Sequence, residues 1–419
     1  MISPRTPVRP KNYVKMPLRH RVSAFFLPII CGLFTLWAVD ARGETGKWAD
    51  IAAKIGKLDA VAIAAPDGKI IFSKHAHVPL IPASILKILT ALVALDRLGP
   101  DYRFPTDFHI GSDQNLVIKG YGDPFLVSEH VQAICGTLSG QVDAIENIVI
   151  DASYFQEPVR VPGTSVRSLQ PYDAPIGALC VNFNTVSFKK QNGRYISAEP
   201  QTPLLPLAEQ LLAAISVDQG RILLSEEKTE LTRYAGELFR YFLIESRMNV
   251  RGEILTGLLP PDAGQPLYRH SSALTLAQVI EYLMKYSNNF IANQIFLAAG
   301  AAAYGPPATL EKGVRAAERY AKSIGIDPVI VEGSGISRQN RVTAAMFLKI
   351  LDAFAPYHEL LREKGPVFYK TGTLNGIQTR AGYIRGADDQ LYRFALLINT
   401  PGKLADPVVQ RICDRLLQL

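Results

Sequence analysis

The stretch Pro82-Ala83-Ser84-Ile85-Leu86-Lys87-Ile88-Leu89-Thr90-Ala91-Leu92-Val93-Ala94-Leu95 decides how the rest of this chain is read. Almost every position is apolar, which leaves no face for solvent and predicts a helix buried in the centre of a domain. Pro82 suits the first helical turn, and Gly99-Pro100 supplies a stop. Among the polar side chains that interrupt the apolar run are a hydroxyl and an ammonium three residues apart, Ser84 and Lys87. At a spacing of i, i+3 they share a helix face and can reach each other. A buried lysine is costly unless it is paired or neutral. A neutral amine beside a hydroxyl is a general base beside a nucleophile. The pair alone also has an ordinary explanation, a surface serine and a lysine whose stem snorkels along the helix start.

Outward from this helix, the chain of 419 residues has room for two or three domains, or for one domain with a large insertion. Its 48% apolar and 20% charged content are those of a globular protein. The formal charge of +7 is unevenly placed. Arg5, Arg9, Lys11, Lys15, Arg19 and Arg21 against Asp40 account for +5 of it within residues 1–41, leaving +2 for the remainder. A near-neutral body gives no reason to expect a nucleic-acid partner. Residues 1–41 read as an export signal, with a basic region, an apolar run from Val22 to Val39, and small residues at Val39-Asp40-Ala41 for a peptidase. Cleavage after Ala41 is expected, Ala38 being a second site. The apolar run is also near the minimum for an uncleaved anchor, the only membrane contact the sequence suggests. Cys31 lacks the small residues that precede a lipidated cysteine. Of the others, Cys135–Cys180 is the only pair close in sequence, and three buried free thiols at Cys135, Cys180 and Cys413 are expected. No Cys or His spacing forms a metal-ligand set, His75-x-His77 included, and no cofactor is implied.

A hairpin, Ala60–Ala65 and Lys69–Ser73 around Pro66-Asp67-Gly68, precedes the Ser84 helix, and a short helix from Trp48 to Lys57 precedes the hairpin. From about residue 105 to 261 the texture changes to short strands, turns and three helix-like segments, enough for a mixed domain inserted between 42–104 and 262–419. Helical segments resume at Thr275–Met284, Phe290–Ala299, Leu310–Ile324 and Thr343–Phe354. Three strand runs, Val367–Thr371, Ala381–Arg385 and Tyr392–Asn399, form an antiparallel meander before a last helix, Pro407–Leu417. The fold class expected is α+β, an antiparallel sheet flanked by helices.

Two more segments bear on the Ser84 pair. Ser287-Asn288-Asn289 falls at a break between helices, where capping alone would account for it. Lys370-Thr371-Gly372-Thr373 ends a strand, where glycine lets another backbone approach. Together, Ser-x-x-Lys on a helix, Ser-x-Asn on a turn and Lys-Thr-Gly on an edge strand resemble the penicillin-binding protein and serine β-lactamase superfamily. Within it, the chain resembles the class C, low-molecular-mass D-alanyl-D-alanine carboxypeptidases/endopeptidases of peptidase family S13. Gly120-Tyr121-Gly122-Asp123-Pro124, Pro171-Tyr172-Asp173-Ala174-Pro175 through Asn182-Phe183-Asn184, and Gly333-Ser334-Gly335-Ile336-Ser337-Arg338 carry that closer resemblance, with Glu332 where the family usually has Asp. The gap of roughly 200 residues between Lys87 and Ser287 is also typical.

The resemblance implies a penicillin-binding/β-lactamase-like catalytic domain and an exported, periplasmic or extracytoplasmic enzyme acting on peptidoglycan stem peptides ending in D-Ala-D-Ala, with β-lactams as inhibitors. It implies that Ser84 is the nucleophile, Lys87 its base and Ser287 a proton relay to the departing amine. It places Asn289 on the substrate's amide, Lys370, Thr371, Gly372 and Thr373 around its terminal carboxylate, and the Ser84 and Thr373 N–H groups in the oxyanion hole. Glu332 and Ser334–Arg338 are expected to fix loops near the site. Cross-link hydrolysis is a second activity the family allows. A silent wall-binding protein of the same fold, or a β-lactamase or esterase, are the alternatives; the former would never be labelled by a penicillin, the latter would turn it over rapidly.

Overall fold

Six strands build the central sheet of this computed structural model, which describes residues 46–111, 113–165, 168, 170–225 and 227–418. The export segment 1–41 lies outside the described residues. The strands are β1 (Asp59–Ala64), β2 (Ile70–Lys74), β3 (Arg362–Lys364), β4 (Val367–Leu374), β5 (Ile377–Arg385) and β6 (Leu391–Ile398). They lie in the order β3-β4-β5-β6-β1-β2, and every pairing is antiparallel. The sheet thus joins the N-terminal hairpin to the C-terminal meander through β1 and β6, with Asp59 opposite Ile398 and Ala64 opposite Arg393.

All six residues of β1 are buried, because both faces of the sheet are covered. Side chains alternate between faces along a strand. Ala60, Ala62 and Ala64 therefore face one core, while Val61 and Ile63 face another. The first core holds α1 (Lys87–Leu98), α2 (Leu276–Tyr286), α3 (Asn289–Tyr304), α4 (Leu310–Ser323) and α5 (Ala344–Phe354). The second is closed by Trp48, Ile51 and Ile55 and by α6 (Asp406–Leu416) through Val408 and Ile412. Helix, antiparallel sheet and helix form three layers, an α+β architecture. The N-terminal segment expected as a helix from Trp48 to Lys57 is helical only at Ala49–Ala52.

α1 and α3 are the innermost helices. From Lys87 to Leu95 and from Phe290 to Ala301 every residue is buried, so neither has a solvent face. Between α1 and α2 the chain builds a five-stranded mixed sheet, a three-stranded antiparallel one and a two-stranded parallel pair, around a core of their own that includes Phe108, Ile118, Ile150, Tyr234 and Phe239. The five-stranded sheet takes an edge strand from Tyr268–Ser271, past residue 261, where it pairs with Pro105–Phe108. Residues 47–419 pack as one body. Cys135, Cys180 and Cys413 are buried free thiols.

Candidate active site

The local structure at Ser84 differs from the single helix that its sequence suggests. Ala83–Leu86 forms a 3-10 turn, and the α-helix begins at Lys87. The cause is the backbone just before Ser84. Ala83 sits at φ +49°, in the left-handed region that residues with a Cβ avoid. Two contacts hold it there. Thr379 Oγ1 on β5 donates to Pro82 O at 2.6 Å. Gly335 packs against the Ala83 carbonyl so closely that a Cβ there would lie 2.0 Å from its oxygen. Strain of this kind persists where the surroundings over-determine the conformation.

Lys87 is wholly buried. Its Nζ lies 2.9 Å from Ser84 Oγ, 2.7 Å from Asn289 Oδ1 and 2.6 Å from the Ser334 carbonyl. Asn289 Oδ1 and Ser334 O can only accept, so each takes an N–H. The third neighbour is a hydroxyl, able to donate into a lone pair. The three neighbours accept all three N–H groups of an ammonium, and with Ser84 Oγ donating they equally hold a neutral amine whose lone pair faces Ser84. Burial drives the Lys87 pKa well below the ordinary lysine value, the Lys370 charge pushes it the same way, and Glu332 partly opposes them.

Ser287 ends α2 in a left-handed conformation at φ 56°, and Asn288 caps α3 by accepting from Ile291 N at 3.1 Å. This break turns Ser287 Oγ toward Lys370 Nζ, 2.8 Å away. Lys370 is also buried; its ammonium donates to Thr371 O at 2.8 Å, and desolvation lowers its pKa to about 7, aided by the nearby Arg380 charge. Gly372 on β4 lets that strand reach Ser84, since a Cβ there would lie 2.9 Å from Ser84 N and 2.2 Å from Thr379 Oγ1. The structure thus brings Ser84, Lys87, Ser287, Asn289, Lys370, Thr371, Gly372 and Thr373 to one place. Ser84, Ser287, Asn289, Thr371 and Thr373 line a cleft of about 700 Å³.

Three features were not legible in the motifs. Thr379 has no sequence signal, being one threonine among many on a strand. Asn289 donates from Nδ2 to the Tyr172 carbonyl at 3.2 Å, so its amide already has a partner from the inserted segment. The cleft's far wall comes from that segment, at Gly163, Ser165, Ser168, Tyr172 and Asp173. Glu332, expected to fix a loop near the site, does so. Its buried carboxylate accepts from Ser334 N and Oγ (2.6 Å each), Gly335 N and Asn340 Nδ2 (2.7 Å each), Ser337 N (3.3 Å) and Asn293 Nδ2 (3.4 Å). That fan of bonds folds the loop whose Ser334 carbonyl holds Lys87.

A helical layer against an antiparallel sheet, with serine and lysine on the inner helix and the cleft along β4, is the architecture of the penicillin-binding proteins. Penicillin-binding protein 4 of Haemophilus influenzae superposes with a TM-score of 0.71 at 20% identity, covering 87% of this chain and 97% of that one. A predatory endopeptidase of Bdellovibrio bacteriovorus superposes at 0.50 with 17% identity over 86% and 92% of the two chains. The chain belongs to the D-Ala-D-Ala carboxypeptidase 3 (S13) family, which matches residues 47–363. Among relatives by sequence, the D-alanyl-D-alanine carboxypeptidase of Actinomadura sp. (strain R39) is 24% identical over 437 residues, covering 84% of this chain and 80% of the relative. Lys370–Thr373 lies beyond the family match and enters the site through the geometry of β4.

Proposed function

We propose that this chain is a serine D-alanyl-D-alanine peptidase acting outside the cytoplasm on the stem peptides of peptidoglycan, exported by residues 1–41, and that β-lactams acylate it. The observation that carries the reading is the wholly buried Lys87, its Nζ 2.9 Å from Ser84 Oγ and held by the Asn289 Oδ1 and Ser334 carbonyl acceptors. In this reading residues 105–261 form an inserted domain that walls the cleft.

The substrate's terminal carboxylate lies against Lys370 and Thr371, and the acyl portion runs along β4 toward Leu374 and Asn375. Lys87 takes the Ser84 proton as Oγ attacks the penultimate D-Ala carbonyl carbon. Developing negative charge on the carbonyl oxygen meets the N–H groups of Ser84 and Thr373. The C–N bond breaks as the proton passes through Ser287 to the departing amine, leaving an ester on Ser84 that water hydrolyses. Asn289 orients the substrate amide once the Tyr172 carbonyl gives up its donor, while holding Lys87 through the other end of its own amide.

Labelling by a fluorescent penicillin tests the reading. Wild-type protein should label covalently and Ser84→Ala should not, with release of D-Ala from a pentapeptide lost in parallel. A correctly folded wild type that never labels and releases no D-Ala would refute it.

A further inference from the structure

A second groove, of about 410 Å³, lies between the end of α2 and β3. Glu281, Lys285 and Tyr286 line one side, and Glu359, Arg362 and Glu363 the other. Its place relative to the catalytic cleft follows from connectivity. Tyr286 directly precedes Ser287, and Arg362 pairs with Tyr369, the residue before Lys370. α2 therefore walls the groove and ends at the cleft in Ser287, while β3, on the groove's other side, pairs with the strand that carries Lys370.

Its surface is suited to a charged peptide. Glu281, Lys285, Glu359, Arg362 and Glu363 are exposed and make no ion pair among the described residues. Tyr286 is 61% exposed, stacks on Tyr282 at 5.8 Å between ring centres, and has Lys285 Nζ 5.2 Å from its ring. Both signs of charge around one aromatic ring match a zwitterionic ligand.

The chemistry of the leaving group says which ligand. When a linear stem is cut, a single D-Ala departs, its one carboxylate is met at Lys370, and nothing of it extends further. When a cross-link is cut, the departing amine belongs to a diamino residue of a second stem, which continues past the carboxylate pocket with charges of its own. Only the second substrate has atoms for this groove.

We propose that the groove binds the amine-side peptide of a peptidoglycan cross-link, with Lys285 and Arg362 setting the preference for cross-linked over linear substrate. The proposal rests on the direction of substrate along β4 given above. The bonds made and broken are the same: the D-Ala C–N bond breaks, the second stem's amine departs with the proton from Ser84, and water resolves the ester.

The test compares full-length wild type with the double variant Lys285→Ala/Arg362→Glu, both positions being exposed. Substrates are a linear muropeptide ending in D-Ala-D-Ala and a D-Ala-cross-linked muropeptide dimer. The expected result is a drop of about tenfold or more in kcat/KM for the dimer, carried mainly by KM, with linear hydrolysis and penicillin labelling within about twofold. Equal losses on both substrates, no loss on either, or a wild type that cuts the linear peptide and never the dimer would each overturn the groove assignment. A wild type that neither labels nor cuts either substrate would overturn the peptidase reading itself, and the absence of labelling distinguishes that failure.

Discussion

Lys370→Met should stabilise the protein in acid and neutral solution while impairing it as a peptidase. The ammonium of Lys370 is buried, and its pKa falls from 10.5 to about 7, desolvation being the largest cause. Each pH unit of such a difference corresponds to about 1.4 kcal/mol, so carrying the charge in the folded state costs on the order of 5 kcal/mol. The unfolded chain holds this proton up to about pH 10.5 and the folded one only to about pH 7. Between those values the unfolded state binds more protons, so wild-type stability rises with pH; the cost is full below pH 7 and absent above 10.5. Methionine has similar length and no charge. Against its gain stand the lost bonds to Ser287 Oγ and the Thr371 carbonyl, each worth about 1–1.5 kcal/mol. A net gain of roughly 2–3 kcal/mol at pH 6 remains, or roughly 2–4 °C in Tm for a chain of this size. Thermal unfolding of both proteins at pH 6 and pH 10 measures it. A variant less stable than wild type at pH 6, or one whose advantage is the same at both pH values, refutes the reasoning. The same substitution removes a positive charge that depresses Lys87, so the acid limb of penicillin acylation against pH should move upward.

Three further substitutions probe the scaffold around the nucleophile. Glu332→Ala strands six hydrogen bonds in a buried loop and should cost about 3–5 kcal/mol in urea unfolding, with Glu332→Gln recovering part of the loss. Gly335→Ala would place a methyl 2.0 Å from the Ala83 oxygen at a φ of +81°; the expected result is a fall of two orders of magnitude or more in the acylation rate, measured by penicillin labelling of the folded fraction. Thr379→Val removes the bond to the Pro82 carbonyl and keeps the side-chain shape, so a loss of about 1–3 kcal/mol in thermal unfolding is expected, with slower acylation and unchanged cleft dimensions.

What the sequence reveals about this site, and what it hides, follows one physical division. Ser84, Lys87, Ser287, Asn289 and Lys370–Thr373 could be singled out together because they lie in three short motifs of fixed spacing, and the structure gathers them around one cleft. The sheet was legible for a similar reason, since a run such as Asp59–Ala64 or Leu391–Ile398 with apolar residues on both faces has few places to go. The start of the helix at Ser84 was not legible. Pro82-Ala83-Ser84 is compatible with a first α-helical turn, and only contacts from Thr379 and Gly335, some 300 and 250 residues away in sequence, force Ala83 to φ +49° and tighten the turn to 3-10.

That strained turn also explains why the loop around Glu332 belongs to the catalytic geometry although none of its side chains has to touch substrate. Lys87 must sit in an apolar core to lose its proton, yet it must stay fixed on Ser84 after losing the charge that would otherwise tether it. Two acceptors do the tethering, Asn289 Oδ1 and the Ser334 carbonyl. The second is only as rigid as its loop, and Glu332 gathers the N–H groups of Ser334, Gly335 and Ser337 to make it so. The same loop presses Gly335 against Ala83, so one carboxylate constrains both the Lys87 amine and the backbone before Ser84. Its negative charge raises the Lys87 pKa, which works against the base, and the structure tolerates this because burial and Lys370 act more strongly in the opposite direction. A neutral replacement at position 332 would therefore favour deprotonation of Lys87 and still slow the enzyme, by loosening what holds the amine in line with Ser84. An acylation profile whose acid limb moves to lower pH while its plateau falls would carry both signatures at once; a fall in the plateau alone would mean that Glu332 acts on the fold and not on the charge of Lys87.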